Sequence, residues 1–420
     1  MVRLTTASAT RARKRLLPSL LALPLAALMA CAGDTRNESA TGGAGTLDGP
    51  DVIVNAVTEE VFSVGSAMAT DWQAFGNVRS VHFDAQANLH IFDSNADHIV
   101  VVGPDGSLIR TVGGPGEGPG EFDNVTTAFV ARDGSYTVMG FTTIDLLEPD
   151  GEFVRRITMD PFTTGMVMPS MALPDGRLLA GQIMRFGRDE EEAEDEGRPI
   201  HIFPLDGTEP ELLYTAWELP EEGGDESTAE STSGGMLFRF AAGRAFEPRL
   251  QYDLLTDGRL ALIDSIGYRV KLIGLDGSVT GTIERPIAPL PVDDAIMEAE
   301  RERYSEREAS EVVTTDGVPV QVEREGVEGR TFADELPVLY DLEVDWDDRI
   351  WLERWGPTGD DDGPTDIVTP DGDYIGTLPP DGLRIPDAFG PDGLLAYIET
   401  DEMDVPTVRV LRLIALEPEG

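Results

Sequence analysis

Residues 78–113, VRSVHFDAQANLHIFDSNADHIVVVGPDGSLIRTVG, decide the fold. Four short β-rich segments, VRSVHF, NLHIFD, HIVVVG and SLIRTVG, are separated by polar turns, the pattern of a four-stranded antiparallel meander. Residues 125–157 repeat the plan with VTTAFVA, SYTVMG, TIDLLEP and EFVRRI. A unit that repeats along a chain and cannot bury its own faces must pack against copies of itself.

The turns carry the period further than the strands do. Asp-Gly pairs suit tight hairpins, because Gly tolerates positive φ and Asp bonds to nearby backbone. An early turn falls at 86–88, then at Asp133-Gly134, Asp175-Gly176, Asp257-Gly258, Asp347-Asp348 and Asp392-Gly393. A late turn falls at Asp105-Gly106, Asp150-Gly151, Asp206-Gly207, Asp276-Gly277 and Asp371-Gly372. Six early turns meet five late ones, because the last unit runs out of chain after its third strand. The orphan segment VTEEVFSV (57–64), ahead of the first unit, can supply the fourth. The expected fold is therefore all-β: a six-bladed β-propeller closed by an N-terminal strand that completes the last blade. Such a ring leaves no strand edge open at its junction.

The first unit and the GPGEGPGEF that follows it (114–122) resemble the NHL-type and TolB-like six-bladed propeller repeats. In those families a Gly-rich linker leads into the next inner strand. The resemblance is strong over 78–160, weaker over 168–290 and patchy from 336 onward. It implies a fold and a place for binding, and no activity.

Insertions interrupt the spacing. RDEEEAEDEGR (188–198) and PEEGGDESTAESTSGG (220–235) read as solvated acidic loops. VDDAIMEAERERYSEREAS (292–310) reads as one short inserted helix with Asp293 as its N-cap, and VVTTDGVPVQVE (312–323) as a hairpin beside it. Helix and hairpin together, about 292–330, form a candidate cap over the ring.

The N-terminus assigns a location. Arg3, Arg11, Arg13, Lys14 and Arg15 precede an apolar run from Leu16 to Ala30, too short for a comfortable membrane span and interrupted by Pro18 and Pro24. The run ends Leu28-Met29-Ala30-Cys31, which resembles a bacterial lipobox. Residues 1–30 are thus expected to be a cleaved signal peptide and Cys31, the single cysteine, a lipidation site. Each buried acyl CH₂ adds about 0.8 kcal/mol of membrane affinity. Residues 31–50 are small and polar, as a flexible tether would be, and the propeller occupies 51–420. The expected location is across the inner membrane and lipid-anchored. In the lipoproteins it resembles, an Asp after the cysteine is a common signal for retention at the inner membrane. Ala32 stands there instead, so the resemblance implies the outer membrane, on its periplasmic or surface side. The balance of 78 acidic against 32 basic side chains, net −46, excludes nucleic acid as a partner and makes the acyl chains the means of membrane attachment.

Chemistry is sparse. The chain has no G-x-S-x-G elbow, no H-E-x-x-H and no phosphate-cradling GxxxxGK[ST]. Of the four histidines, His82, His90 and His98 share one unit, so they cannot ring a channel; His82 and His90 read as packed strand residues. Metal-dependent lactonases resembling gluconolactonase hold a cation with Glu, Asn and Asp around the pore. Here every Asn (37, 55, 77, 88, 95, 124) lies in the first third of the chain, so that site is not carried over. Asp345, Asp347 and Asp348, with Asp360–Asp362, offer oxygen ligands for Ca²⁺ but lack an EF-hand order, and no cofactor is assigned. Trp346, Trp351 and Trp355 suit either an aromatic platform or packing between blades, and packing is preferred. Arg239, Arg244 and Arg249 are the candidate ligand-binding residues, placed to meet a carboxylate at the channel mouth if local acids do not pair them first.

No catalytic set converges. The sequence thus predicts a membrane-anchored scaffold whose loops bind a protein or a glycan. The alternative is a metal-dependent, lactonase-like hydrolase or a lyase working at the channel mouth.

Overall fold

The computed structural model describes residues 47–419, excepting 70, 124, 141, 160–165, 185–196, 207, 217–227, 233–234, 241–242, 307–310, 316–317, 325, 361–362 and 401–404. The segment expected to be a leader, Cys31 and residues 31–46 of the expected tether lie outside the described residues.

Six four-stranded antiparallel sheets form the blades. Blade 1 begins with the inner strand Val78–Phe83, blade 2 with Val125–Val130, blade 3 with Met166–Ala172, blade 4 with Gln251–Leu254, blade 5 with Leu339–Val344 and blade 6 with Ala388–Phe389. Each blade then steps outward in chain order. Blade 6 takes its outermost strand from the other end of the chain: Val54–Val64 pairs antiparallel with Pro406–Pro418, Val64 opposite Val408. The six blades and the strand exchange match the sequence reading.

Apolar residues alternate along these strands, and both faces of a blade are covered, so each seam between neighbours is a core of its own. Phe92, Val101 and Phe122 meet Tyr136 and Val138 at the seam of blades 1 and 2. Met139 and Ile144 meet Leu178 and Phe203 at the next. Ile200 and Ile202 meet Leu260 and Leu262, and Val270 and Leu272 meet Leu342 and Ile350. Trp351 and Ile367 meet Phe389 and Tyr397, and Val408 and Val410 meet Val81 and Phe83. The last of these seams closes the ring.

Antiparallel order places successive connections at alternate ends of a blade. The early and late turns therefore share one face, and the second-to-third and blade-to-blade connections share the other. On the turn face the connections are tight: in the late turn of blade 1, Asp105 Oδ1 accepts Ser107 N at 3.0 Å and Gly106 sits at φ +79°, where a β-carbon would be strained. The insertion elements among the described residues, within 228–240 and 294–324, belong to the opposite face.

There, two blade-to-blade connections join in a sheet of their own. The expected hairpin forms from Glu311–Thr315 and Val318–Arg324. It then pairs in parallel with Gly235–Phe240, which in turn pairs with Thr228–Thr232. Part of the stretch read as a solvated loop (220–235) is thus a strand. Its own composition is polar, and it pairs because the strand that follows folds back along it. The helix is Asp294–Glu306, and Asp293 Oδ1 caps it by accepting Ala295 N and Ile296 N, both at 3.0 Å. Ile296 packs with Ala245, Phe246, Ala333 and Leu336, and Trp355 of blade 5 closes this small cluster.

Residues 47–53 lie against blades 4 and 5. Thr377 N donates to Val52 O at 2.9 Å, and the buried Arg285 reaches Leu47 O at 3.4 Å while pairing with Asp366 at 2.8 Å and Asp51 at 3.0 Å. The end of the stretch read as tether is thus fastened to the ring.

Candidate functional site

The penultimate residue of each inner strand faces the seam with the next blade, near the axis. In blades 2, 3 and 6 that residue is Phe129, Met171 or Ala388, each packed into the neighbouring core. In blades 1, 4 and 5 it is His82, Asp253 or Glu343. His82 Nε2 lies 3.0 Å from Ala128 O of blade 2, and burial holds its imidazole down to about 4.

Blades 4 and 5 carry polar residues two positions higher as well, Gln251 and Asp341, and the four side chains mesh. Gln251 Nε2 donates to Asp341 Oδ1 at 2.9 Å. Asp253 Oδ2 accepts Val344 N of the neighbouring blade at 2.8 Å, and its Oδ1 accepts Leu254 N at 2.7 Å. Glu343 and Asp253 act on one another's titration across this seam. Burial pushes Glu343 well above the usual carboxylate range, and the charges of Asp253 and Asp341 push it further. Burial also raises Asp253 and Asp341. Asp253 accepts two backbone N–H groups, which favours its ionised form against the effect of burial. A carboxylic acid beside a carboxylate offers one donor and several acceptors.

The surroundings are aromatic and basic. Arg249, just before the inner strand of blade 4, places its guanidinium 4.3 Å from the Tyr340 ring centre, and its charge acts on Asp341. Tyr340 meets Trp355 edge-on at 4.6 Å. At the turn face, Arg132 of blade 2 stacks 4.4 Å from the centre of the Trp346 ring of blade 5. Those blades stand opposite one another in a ring of six, so this pair bridges the axis. Trp346 is fixed in turn by donating from Nε1 to Phe389 O at 2.8 Å.

The residues singled out in the sequence divide. Arg249 joins this group. Arg244 is committed elsewhere, its Nε donating to Phe332 O at 3.1 Å, and Arg239 belongs to the insertion strand Gly235–Phe240. Cys31 lies outside the described residues. Asp345 accepts Arg349 Nε at 2.6 Å, Trp351 Nε1 at 3.0 Å and two backbone N–H groups, while Asp348 accepts Thr256 N of blade 4 at 2.7 Å. Among the described residues no group of three or more His, Cys, Asp or Glu is placed to hold a metal ion. Trp351 is wholly buried, Trp346 packs at two seams, and Trp355 joins the insertion. His90 is buried too, its Nε2 3.2 Å from Asp84 Oδ2 and its Nδ1 3.0 Å from Tyr136 Oη.

Asp253, Asp341, Glu343, Gln251 and Arg132 were not singled out from the sequence. The signal was available: with the blades aligned on their early turns, blades 4 and 5 alone carry acids where blades 2, 3 and 6 carry apolar residues. One acid in an acidic chain says little; the same register in two adjacent blades says more.

The architecture defines a six-bladed β-propeller with insertions on one face. No protein-family model matches the chain, and no curated protein matches it. Solved structures do. A member of the DUF4221 family from Bacteroides vulgatus is 11% identical at a TM-score of 0.51, covering 88% of this chain and 100% of its own. A Bacteroides fragilis protein, named as a candidate exported protein, is 12% identical at 0.46, covering 86% and 96%. A virginiamycin B lyase from Staphylococcus aureus is 12% identical at 0.35, covering 86% and 98%. At such identities the likeness is one of fold. Among the described residues no helix is long and apolar enough to cross a membrane.

Proposed function

We propose that this chain is a lipid-anchored, extracytoplasmic scaffold that binds a protein or glycan on the insertion-bearing face of its propeller. The observation that carries this reading is the inequality of the two faces among the described residues: tight Asp-containing turns on one, the inserted helix and strands on the other. A rigid ring that elaborates only one end presents that end for recognition. The basic and apolar N-terminal segment ending at Cys31 supports export and anchoring. Two measurements test the proposal. Intact mass of the membrane-extracted protein is expected to show a chain that starts at Cys31 and carries an acyl adduct; a chain retaining residues 1–30 removes the anchor. Photo-cross-linking in membranes is expected to capture a partner from Leu290, on the insertion face, and not from Asp276, on the turn face. Equal capture from both positions, or none, defeats the scaffold reading.

A second reading, a hydrolase or lyase at the channel mouth, draws on the Asp253–Glu343 pair, a proton donor beside a carboxylate. A panel of lactones and esters with Mg²⁺, Mn²⁺ or Ca²⁺ tests it. Turnover abolished in Glu343→Gln supports chemistry at this pair, and inertness of the unaltered protein counts against it.

A further inference from the structure

The ring already holds the chain before the closing strand begins. Residues 47–53 (LDGPDVI) pass from Arg285, which follows the outermost strand of blade 4, Val279–Glu284, to the outermost strand of blade 5, Tyr374–Leu378. Arg285 donates from Nε to Leu47 O at 3.4 Å and from Nη2 to Gly49 O at 3.3 Å. The Asp51 carboxylate sits between two guanidinium groups, its Oδ1 3.0 Å from Arg285 Nη2 and its Oδ2 2.7 Å from Arg354 Nη2. Val52 N donates to Tyr374 Oη at 3.1 Å, Thr377 N donates to Val52 O at 2.9 Å, and Ile53 pairs in parallel with Thr377. Leu47 and Val52 rest on the core of this seam. Gly376 leaves the room, since a β-carbon there would come within 3.1 Å of Val52 O. Main-chain bonds at a sheet edge, one charged position and two apolar ones are the elements of peptide recognition by strand addition.

Two observations set this segment apart from the strand that follows it. None of residues 47–53 is buried, whereas Val54, the first residue of the closing strand, is 1% exposed. The seat beneath is built independently of the segment. Arg285, its side chain 1% exposed, and Arg354 both pair with the buried Asp366, at 2.8 and 3.3 Å. Thr377 Oγ1 donates to Asp366, and the Arg285 guanidinium lies 4.3 Å from the Tyr374 ring centre. Asp51 thus supplies, from the surface, the second of two carboxylates that face two guanidinium groups. Lifting the segment leaves an oriented pair of arginines short of one acid, which is a site for another carboxylate.

We propose that the outer edge of the seam of blades 4 and 5 is a peptide-binding site that the chain fills with its own residues 47–53. The ligand it takes in exchange is an acidic segment of a partner protein, with a carboxylate where Asp51 sits and an apolar residue after it. None of the residues that form the site belongs to the inserted helix or strands, so it stands apart from whatever the insertion face binds. The net charge of −46 opposes an acidic partner at a distance, but at physiological ionic strength charges further apart than about 8 Å are largely screened.

The test uses the full chain with Asp51→Lys, which sets a positive charge against Arg285 and Arg354 and lifts the segment. The probe is a synthetic peptide of residues 47–53, blocked at both ends and titrated by calorimetry. Saturable binding to the variant is expected, at least tenfold tighter than that of the same peptide with Asp51→Asn. The unaltered protein is expected to bind the peptide at least tenfold more weakly than the variant, because its own segment competes at an effective concentration on the order of millimolar. Adding Arg354→Gln to the variant is expected to weaken binding at least tenfold. No binding to the variant, equal binding of the two peptides, or equal binding to variant and unaltered protein overturns the proposal. If Asp51→Lys does not fold, Asp51→Asn in the full chain takes its place, with the same two peptides; equal binding or none overturns the proposal there too.

Discussion

Single residues show how the blades are kept in register. Asp84 and Asp345 occupy the same place, directly after an inner strand, and each accepts from the side chain six positions on, His90 in one blade and Trp351 in the other. The turn is thereby tied to the second strand by a buried polar bond, and truncating the acid strands a buried donor. Asp345→Ala is expected to cost about 3 kcal/mol, because it leaves the buried Trp351 indole N–H and Arg349 Nε without their acceptor. Asp345→Asn, which keeps one acceptor, should cost clearly less; urea midpoints measure both. His82 gives stability a pH dependence of its own. Its imidazole is held down to about 4 from an ordinary 6.5, so its neutral form contributes stability above the ordinary value that is lost as pH falls towards 4. At about 1.4 kcal/mol per unit the full effect is about 3 kcal/mol. Titrating the urea midpoint between pH 4 and 7 should show that slope in the natural protein and not in His82→Gln.

Among the elements, those with local signals were legible and those assembled at a distance were not. The helix was readable from Asp293 and the acidic first turn, and the hairpin from Asp316-Gly317. The sheet they belong to was not, because Gly235–Phe240 and Val318–Arg324 pair in parallel from separate connections, and no local pattern announces that partnership. The same holds for the small cluster beneath the helix. Phe246 sits at φ +65°, a costly conformation for an aromatic residue, held by Ile296, Trp355 and Phe332 around it. Phe246→Ala is expected to remove about 3 kcal/mol of packing from the insertion. Because the cluster is separate from the six seams, the loss should appear as faster proteolysis and exchange across 290–336, with the midpoint of the propeller shifted little.

For the whole molecule, the count of turns was sufficient to predict the ring. Nine of the eleven early and late turns are Asp-Gly pairs, whose conformational needs are local and survive divergence of the strands between them. The channel wall was less legible, because what distinguishes Asp253 and Glu343 is the apolar identity of their counterparts Phe129 and Met171, a contrast visible only once the blades are superposed. The closure carries its own test. A chain beginning at residue 65 lacks the outermost strand of blade 6 and exposes the edge of Pro406–Pro418, along with the partners of Val54 and Val64, both nearly fully buried. Such a chain is expected to aggregate or to lose cooperative unfolding, whereas one beginning at residue 47 should match the longer protein in calorimetry.

The strand that shuts the ring is made among the first and finds its partner among the last. Until Pro406–Pro418 has been synthesised, residues 54–64 have nothing to pair with, and pairing them joins the two ends of the chain. Contacts of such sequence separation form slowly. Any step that handles the chain in extended form gains from that delay, because no closed ring exists until the strand Pro406–Pro418 has arrived.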